Sequence, residues 1–278
     1  MARALADPIP SMPPVPPAPA RWGDLRLRIV SASILAPVVL GCAWFGGVAW
    51  VLLVCIAGWG VAAEWVALCG GRLWTATGLG VGGPVLVGCL ATAGGVLTLG
   101  ALALTAGAVA TRRVLFGAGV LYAGEAGIAL IWLRDDPKVG QANIFFLISA
   151  VVASDICAYA VGRVVGGPRL APLISPGKTW SGALGGLVGA AVAGSAVAAT
   201  MGGGNLVLAA VLALFLAAVA QGGDLFESWF KRRSGVKDSG SMIPGHGGVM
   251  DRLDGFLFAG PVAALMAAIV GRGAVLWH

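Results

Sequence analysis

The stretch GNLVLAAVLALFLAAVAQG, residues 204–222, is apolar along almost its whole length and contains no charged residue. A helix needs about 20 predominantly apolar residues to cross the hydrocarbon core of a bilayer, with a lower limit of about 17. This stretch therefore predicts a transmembrane helix. Runs of the same kind recur along the chain.

The composition of the whole chain fits a membrane protein. Of its 278 residues, 58% are hydrophobic and only 11% are charged, and the mean hydropathy is +0.92. Soluble domains carry about a quarter charged residues, so this chain has too little polar surface to face water on all sides. We expect an all-α integral membrane protein. The net charge of +6 indicates basic cytoplasmic loops and anionic lipid or phosphate substrates rather than nucleic acid.

Eight further apolar runs predict the remaining helices. They cover residues 29–46, 48–68, 77–93, 95–111, 114–133, 143–162, 181–201 and 255–271. The segment 77–111 is long for one helix, and Gly94 and Gly95 favour a turn inside it. We therefore predict about nine transmembrane helices, with the N-terminus in the cytoplasm.

The basic residues favour nine spans, because most of them then fall on the cytoplasmic side, as the positive-inside rule requires. The residues placed inside are Arg21, Arg26, Arg28, Arg72, Arg112, Arg113, Arg163, Arg169, Lys178 and the cluster at 231–252. Only Arg134, Lys138 and Arg272 fall outside. A single span over 77–111 would move the basic loops after residue 162 to the opposite side.

The N-terminal residues and the cysteines each support a further prediction. Residues 1–20 contain seven prolines and little periodicity, so we predict a disordered proline-rich tail followed by one polytopic domain over 21–278. The five cysteines lie in or beside apolar runs without metal-ligand spacing, which indicates free thiols that act as small hydrophobes. They are Cys42, Cys55, Cys69, Cys89 and Cys157.

The stretch KRRSGVKDSGSMIPGHGGVMDRLDG, residues 231–255, concentrates charge in an otherwise apolar chain. If the preceding helix continues past residue 222, Asp224, Ser228, Lys231 and Arg232 lie at i, i+4, i+7 and i+8 and share one face. A carboxylate at the depth of Asp224 needs an ion pair or a metal. For one acid taken alone, a salt bridge is the ordinary explanation.

A second acidic pair, Asp251 and Asp254, begins the last predicted helix, with Arg252 between them. Helix capping alone would explain an aspartate there. Acids on two converging helix ends, together with Lys and Arg, favour a site instead. Carboxylates are hard ligands for Mg²⁺, and Lys and Arg hold the charge of a transferring phosphate.

A second polar region, SDICAYAVGRVVGGPRLAPLISPGKTWSG at residues 154–182, lies on the same predicted membrane face. Asp155, Tyr159 and Arg163 are spaced i, i+4 and i+8, so they share one face of a span. The region therefore brings another acid and another cation towards the charged stretch.

The hexapeptide SPGKTW, residues 175–180, places Ser175 and Lys178 at the entry of the next helix, where anions are favoured. Taken alone, a Ser-Pro turn with a snorkelling lysine explains it equally well. The chain has no Walker A pattern, GxSxG elbow or HExxH motif. The residues together predict metal-assisted chemistry on a phosphate at the cytoplasmic membrane face.

The stretch ESWFKRRSGVKDSGSMIPGHGGVMDRLDG, residues 227–255, resembles the signature of the phosphatidate cytidylyltransferase (CDP-diglyceride synthase) family. The matching positions are Ser228, Lys231, Arg232, Lys237, Asp238, Pro244, His246, Gly247, Gly248, Asp251, Arg252 and Asp254. SDICAYAVGRVVGG and ISPGKTWSG resemble the second conserved stretch of the family. LRIVSASILAPVVL and AAEWVAL look like its N-terminal spans, so the resemblance covers most of the chain beyond residue 21.

The resemblance implies transfer of CMP from CTP to phosphatidic acid, giving CDP-diacylglycerol and pyrophosphate. It implies a Mg²⁺-dependent site with two metal ions, whose carboxylates match Asp224 and Asp251. On this basis the expected catalytic residues are Lys231, Ser228, Lys178 and Asp254. The expected substrate-binding residues are Ser175, Lys178, Arg232, Lys237, His246 and Arg252.

We expect CTP, phosphatidic acid and membrane lipids as partners, and no nucleic acid. The expected location is the inner membrane of a bacterial cell with the site on the cytoplasmic side, and a homodimer is an open option for the assembly. Two other functions stay open: a transporter with Asp155 and Asp224 as ion sites, and a CTP-dependent polyprenol kinase. The long charged loop and the absence of repeats count against the transporter, and the long signature counts against the kinase. A structural scaffold would explain none of the buried charge.

Overall fold

The computed structural model describes residues 22–201, 203–243 and 247–278, which form nine helices and one small hairpin. The helices are α1 (Trp22–Phe45), α2 (Gly47–Leu68), α3 (Ala76–Ala93), α4 (Leu97–Ala110), α5 (Val114–Arg134), α6 (Gly140–Val164), α7 (Trp180–Met201), α8 (Leu206–Arg233) and α9 (Met250–Val270). Between α6 and α7, strand β1 (Arg169–Ala171) pairs antiparallel with β2 (Ser175–Thr179). The predicted tail at 1–20 and His246 lie outside the described residues.

The predicted all-α membrane architecture is confirmed, with the short hairpin as an addition to it. Seven helices, α2, α3 and α5–α9, are long and apolar enough to cross a membrane. Helix α4 has only 14 residues, and the apolar part of α1 is Ser33–Phe45. The segment 77–111 does form two helices. Gly95 lies in the turn between them with φ +81°, a conformation that favours glycine.

The connections between successive helices alternate between two ends of the bundle. We call one the Asp136 end, and it is made of residues 46, 135–139, 203–205 and 271–278. Its segments are joined by hydrogen bonds such as Arg134 Nε to Ala43 O and Trp277 Nε1 to Gly203 O, each 2.6 Å. We call the other the hairpin end, and it is made of residues 69–75, 111–113, 165–179 and 234–243. The hairpin end contains these basic residues that the positive-inside rule grouped together: Arg72, Arg112, Arg113, Arg169 and Lys178. Arg21 lies outside the described residues.

Glycines allow α7 to pack closely against α6. A Cβ atom on Gly186 would lie 2.8 Å from the carbonyl oxygen of Ser154, and one on Gly189 would lie 2.4 Å from Cys157 Sγ. Neither gap leaves room for a side chain. Small residues at such crossings let helix backbones approach each other in lipid, where no hydrophobic effect drives helices together.

An aromatic cluster joins α2, α5, α8 and α9. Trp65 of α2 stacks on Phe230 of α8 with ring centroids 4.3 Å apart. Tyr122 of α5 lies 5.8 Å from both Phe226 of α8 and Phe258 of α9, centroid to centroid. The cluster fixes the positions of the helices that carry the charged side chains described next.

Candidate active site

A cavity of about 690 Å³ lies at the hairpin end, between the last turns of α6, the hairpin, the start of α7 and the polar part of α8. This volume is in the range of small-molecule sites. The polar residues predicted from two distant stretches of sequence line it together. They are Asp155, Tyr159, Arg163, Ser175, Lys178 and Asp224.

Lys178 joins the hairpin to α8 across this cavity. It lies on β2 rather than at the first turn of α7, which begins at Trp180. Its Nζ forms an ion pair with Asp224 Oδ2, and the two side chains are 26% and 30% exposed. An ion pair that is this accessible to water contributes little to stability. Each of the two groups can therefore release the other and bind a ligand instead, at a small cost in free energy.

Helix α8 continues past residue 222 to Arg233, which is the condition for the predicted shared face, and it places Asp224, Ser228 and Lys231 along one stretch of helix. Ser228 Oγ donates a long hydrogen bond of 3.4 Å to Asp224 Oδ1. On α6, Arg163 Nη1 donates to Tyr159 Oη at 2.9 Å, as the shared-face prediction requires.

Lys231 lies between two carboxylates, behind the cavity. Its Nζ is 2.5 Å from Asp251 Oδ1 and 3.1 Å from Glu227 Oε1, and its side chain is only 12% exposed. Asp251 is also held by backbone. Ser239 N donates to both of its oxygens, at 3.2 and 3.0 Å, and Gly248 N donates to Oδ2 at 2.9 Å. Lys231 and Asp251 thus form a fixed pair rather than an exchangeable one.

Two further acids lie between these pairs. Asp254 accepts a hydrogen bond from Gly255 N at 2.7 Å and interacts electrostatically with Asp224 and Asp155. Glu227 is 1% exposed, and neither of its oxygens has a hydrogen-bond partner among the described residues. Lys231 is close enough to Glu227 for an ion pair, but not in hydrogen-bonding geometry. Acidic side chains are therefore concentrated along neighbouring parts of α8 and α9.

The other predicted site residues lie around this cluster. Arg232 Nε donates to the carbonyl oxygen of Ile174 in the hairpin at 3.4 Å. Arg252 is exposed and interacts electrostatically with Asp155. Lys237 is exposed on the loop between α8 and α9. We call that loop the charged loop, and its described parts are 234–243 and 247–249.

The acidic side chains around the cavity could hold Mg²⁺ only if substrate phosphates supplied further ligands. No group of three or more His, Cys, Asp or Glu side chains in the described part of the chain is placed to hold a metal. Mg²⁺ is commonly held through one or two carboxylates together with waters and substrate phosphates, so it does not need such a group. The mutual repulsion of Asp155, Asp224 and Asp254 fits a bound cation. Asp224 has a partly exposed carboxylate, whereas both oxygens of Asp251 accept hydrogen bonds.

Two buried acids belong to this region although the sequence analysis gave them no role. Glu64 of α2 is 4% exposed and accepts hydrogen bonds from the charged loop. A lone acid inside the apolar run 48–68 was the signal that could have identified it, because acids in spans are costly. Glu227 lies four residues before Lys231, a spacing that places both on one helix face.

Comparisons with known proteins show which family the chain is similar to. The cytidylyltransferase family model matches residues 26–270. A Brucella abortus protein named phosphatidate cytidylyltransferase is 40% identical over 262 residues, which cover 91% of this chain and 97% of that protein. Proteins with the same name from Helicobacter pylori and Mycobacterium leprae are 44% and 43% identical, over 50% and 48% of this chain and over 51% and 43% of their own lengths.

Proposed function

This chain belongs to the cytidylyltransferase family, and from that premise we propose that it is a phosphatidate cytidylyltransferase of phospholipid biosynthesis. It transfers CMP from CTP to phosphatidic acid and releases pyrophosphate. The observation that carries the proposal is the convergence of Lys178 on β2 with Asp224 on α8 in one cavity. Cations and acids from two separate stretches of the sequence meet there, at one end of a membrane bundle.

The reaction needs positioning and charge neutralisation rather than a covalent enzyme intermediate. A phosphate oxygen of phosphatidic acid forms a bond to the α-phosphorus of CTP. The bond from that phosphorus to the oxygen bridging to the β-phosphate breaks, and pyrophosphate leaves with the electron pair. Both substrates are anions, so they must be held close together against their own repulsion.

The basic residues around the cavity supply that neutralisation. Lys178 and Arg163 line the cavity, and Lys178 can release Asp224 to bind a phosphate. Lys231, held by Asp251, presents a fixed positive charge beside them. Ser228 and Asp254 complete the proposed catalytic set.

We propose that a set of basic and polar residues binds the substrates. These are Ser175, Lys178, Arg232, Lys237, His246 and Arg252, of which His246 lies outside the described residues. Ser175 lines the cavity, and Arg232 lies against the hairpin, so both belong to the same face.

Asp224 and Asp251 are the residues we propose to hold two Mg²⁺ ions. When bound, the metal would neutralise charge on the transferring phosphate. A cation at Asp224 would replace Lys178 as its partner, which frees the ammonium group for a phosphate. A cation at Asp251 would have to compete with Lys231 and two backbone donors.

The chain is a multi-pass membrane protein, and we propose that it lies in the bacterial inner membrane with the hairpin end in the cytoplasm. CTP is a cytosolic nucleotide, and the basic loops favour that side. The homodimer stays a prediction.

A single incubation tests the proposal. The purified protein in detergent receives labelled CTP, phosphatidic acid and Mg²⁺, and the lipid product is identified. We expect CDP-diacylglycerol and an equal amount of pyrophosphate. Release of CDP with a phosphorylated lipid would indicate a kinase, and the absence of CTP consumption would contradict both enzymes. Asp224→Asn serves as the inactive control.

A further inference from the structure

Glu64 lies inside the bundle on α2, and both oxygens of its carboxylate accept hydrogen bonds from the other half of the chain. Val249 N donates to Oε1 at 2.8 Å. Met250 N and Ser239 Oγ donate to Oε2 at 2.8 and 2.7 Å. One side chain from the second helix therefore holds Ser239 in the middle of the charged loop, Val249 at its end and the first residue of α9.

The start of α9 has no side-chain cap of its own. Its N-cap residue is Val249, which makes no side-chain capping hydrogen bond. The first backbone N–H groups of a helix have no partner within the helix, and negative charge there interacts favourably with the helix dipole. A local Ser or Asp usually meets this need. Here Glu64 does so from 185 residues away in sequence.

Two glycines of the charged loop are packed against Glu64. A Cβ atom on Gly248 would lie 2.4 Å from Glu64 Oε2, and one on Gly240 would lie 2.7 Å from Oε1. Such approach is possible only without a side chain. The loop backbone is therefore shaped around this carboxylate.

The backbone that Glu64 holds is the backbone that holds Asp251. Ser239, whose hydroxyl binds Glu64, donates its N–H to Asp251. Gly248, which adjoins the bonded Val249, also donates to Asp251. Asp251 in turn binds Lys231. Glu64 itself does not line the cavity.

We propose that Glu64 is a positioning residue for the transferase reaction. By fixing Ser239 and the start of α9, it orients Asp251 and, through Asp251, the ammonium group of Lys231. For its effect on catalysis the inference rests on the proposed function. For its effect on the loop it rests on the hydrogen bonds alone.

The variant that tests this is Glu64→Gln, which keeps the shape of the side chain but removes its charge and one acceptor oxygen. We expect kcat for CMP transfer to fall by about 10–100-fold, the usual effect of losing an outer partner of a site residue. The KM for CTP should change little, because Glu64 touches no substrate.

Asp136→Asn provides a matched control. Asp136 is also a buried carboxylate that accepts three hydrogen bonds, but its donors are at the opposite end of the bundle. This variant should lose thermal stability while kcat per folded molecule stays at the wild-type value. If both variants lose stability equally and both keep wild-type kcat, Glu64 is only a structural cap and the proposal is wrong.

Hydrogen exchange provides a readout that does not depend on activity. In Glu64→Gln the amides of Ser239 and Gly248 should exchange about tenfold faster than in the wild type, and in Asp136→Asn they should not change. Unchanged exchange in Glu64→Gln would overturn the inference. Faster exchange in a protein whose wild type transfers no CMP would instead overturn the proposed function alone.

If Glu64→Gln does not fold, Ser239→Ala replaces it as the test. That variant removes only one of the three donors and leaves the charge of Glu64 in place. We expect a smaller fall in kcat than for the glutamine variant, with faster exchange at Gly248. Wild-type kcat together with wild-type exchange would contradict the proposal.

Discussion

The two ends of the bundle use buried polar side chains in different ways. At the Asp136 end, buried polar side chains bind the main chain, both of their own turn and of other segments. Asp136 accepts from three backbone N–H groups, Asn143 Oδ1 accepts from Leu276 N at 3.0 Å, and the Trp277 indole donates to Gly203 O. These bonds tie the helix ends together.

At the hairpin end, several charged side chains pair with one another. Lys178 pairs with Asp224, and Lys231 pairs with Asp251 and lies close to Glu227. Glu227 has no hydrogen-bond partner among the described residues. Buried polar groups left in this state are costly, which makes them poor candidates for a purely structural role.

The comparison separates structural acids from functional ones by their partners. A carboxylate bound to backbone cannot change partners unless the chain moves, so it stabilises a fixed geometry. A carboxylate that pairs with a lysine and has no backbone donor among the described residues, such as Asp224, can exchange that lysine for a substrate or a cation. Asp251 pairs with Lys231 but is also held by backbone, so it stays fixed. Glu64 lies at the hairpin end but has mainly backbone donors, and it therefore resembles Asp136 rather than Asp224.

The largest expected effect follows from neutralising the proposed metal ligands. Asp224→Asn and Asp251→Asn should each lower kcat by about 10³-fold or more, because a neutral amide does not replace a hard anionic ligand. The proteins should still insert and fold. Near-normal turnover of either variant at saturating Mg²⁺ would show that its residue is not an essential ligand.

A smaller loss is expected from the cation that bridges the cavity. Lys178→Gln should lower kcat by about 10²–10³-fold, because one donor to the transferring phosphate is removed. Lys178→Arg should recover part of it, since the charge is kept. Kinetic constants for both variants decide the point, and wild-type values in both would leave Lys178 as a snorkelling lysine.

Glu227→Gln tests whether the buried acid beside Lys231 is functional. We expect kcat to fall by about tenfold, because the acid next to Lys231 is removed. Thermal stability should change little, because neither oxygen makes a hydrogen bond with a described residue that the amide would lose. If unfolding occurs at a clearly lower temperature with kcat unchanged, Glu227 is structural and the contrast between the ends fails.

Asp136→Asn should affect stability and not activity. Losing backbone hydrogen bonds to a buried carboxylate costs about 1–3 kcal/mol. Burial alone would raise the pKa of Asp136, but hydrogen bonds from the backbone N–H groups of Lys138, Gly273 and Val139 outweigh it and hold the pKa below its usual range.

The direction of this pKa shift sets the pH dependence. An acid with a lowered folded pKa stabilises the protein fully above its unfolded pKa, and the stabilisation is lost as the pH falls through the folded pKa. The unfolding temperature of the wild type should therefore fall as the pH drops below the usual carboxyl range. The unfolding temperature of Asp136→Asn should fall less. Parallel pH profiles would contradict this role.

The smallest perturbation tests the sidedness of the two ends. In a background without the native cysteines, Lys138→Cys and Lys237→Cys should be labelled by an impermeant thiol reagent from opposite sides of the membrane. Position 138 lies at the Asp136 end and position 237 at the hairpin end. Labelling of both from one side would contradict the nine-span arrangement.

Much of the fold could be predicted from the sequence because membrane helices follow from local composition. The apolar runs identified the helices, and Gly94 and Gly95 identified the turn that separates α3 from α4. The free state of all five cysteines is also confirmed. The hairpin at 169–179 was not predicted, since its strands contain three and five residues and have no clear alternation.

The candidate site was predictable only in part. The charged loop and the SPGKTW hexapeptide could be identified because charge is rare in this chain. Their pairing could not, because nothing local specifies that Lys178 meets Asp224 or that Lys231 lies against Asp251.

The sequence by itself determined the membrane class, the positions of most helices and the residues that carry the chemistry. These depend on local composition and on spacing along one helix. Only the tertiary structure decided which acids are fixed and which are exchangeable. Glu64 reaches donors 175 to 186 residues away, and Glu227 has no hydrogen-bond partner among the residues that the structure describes. Those distinctions arise from contacts between distant segments, and the same residue type serves both roles.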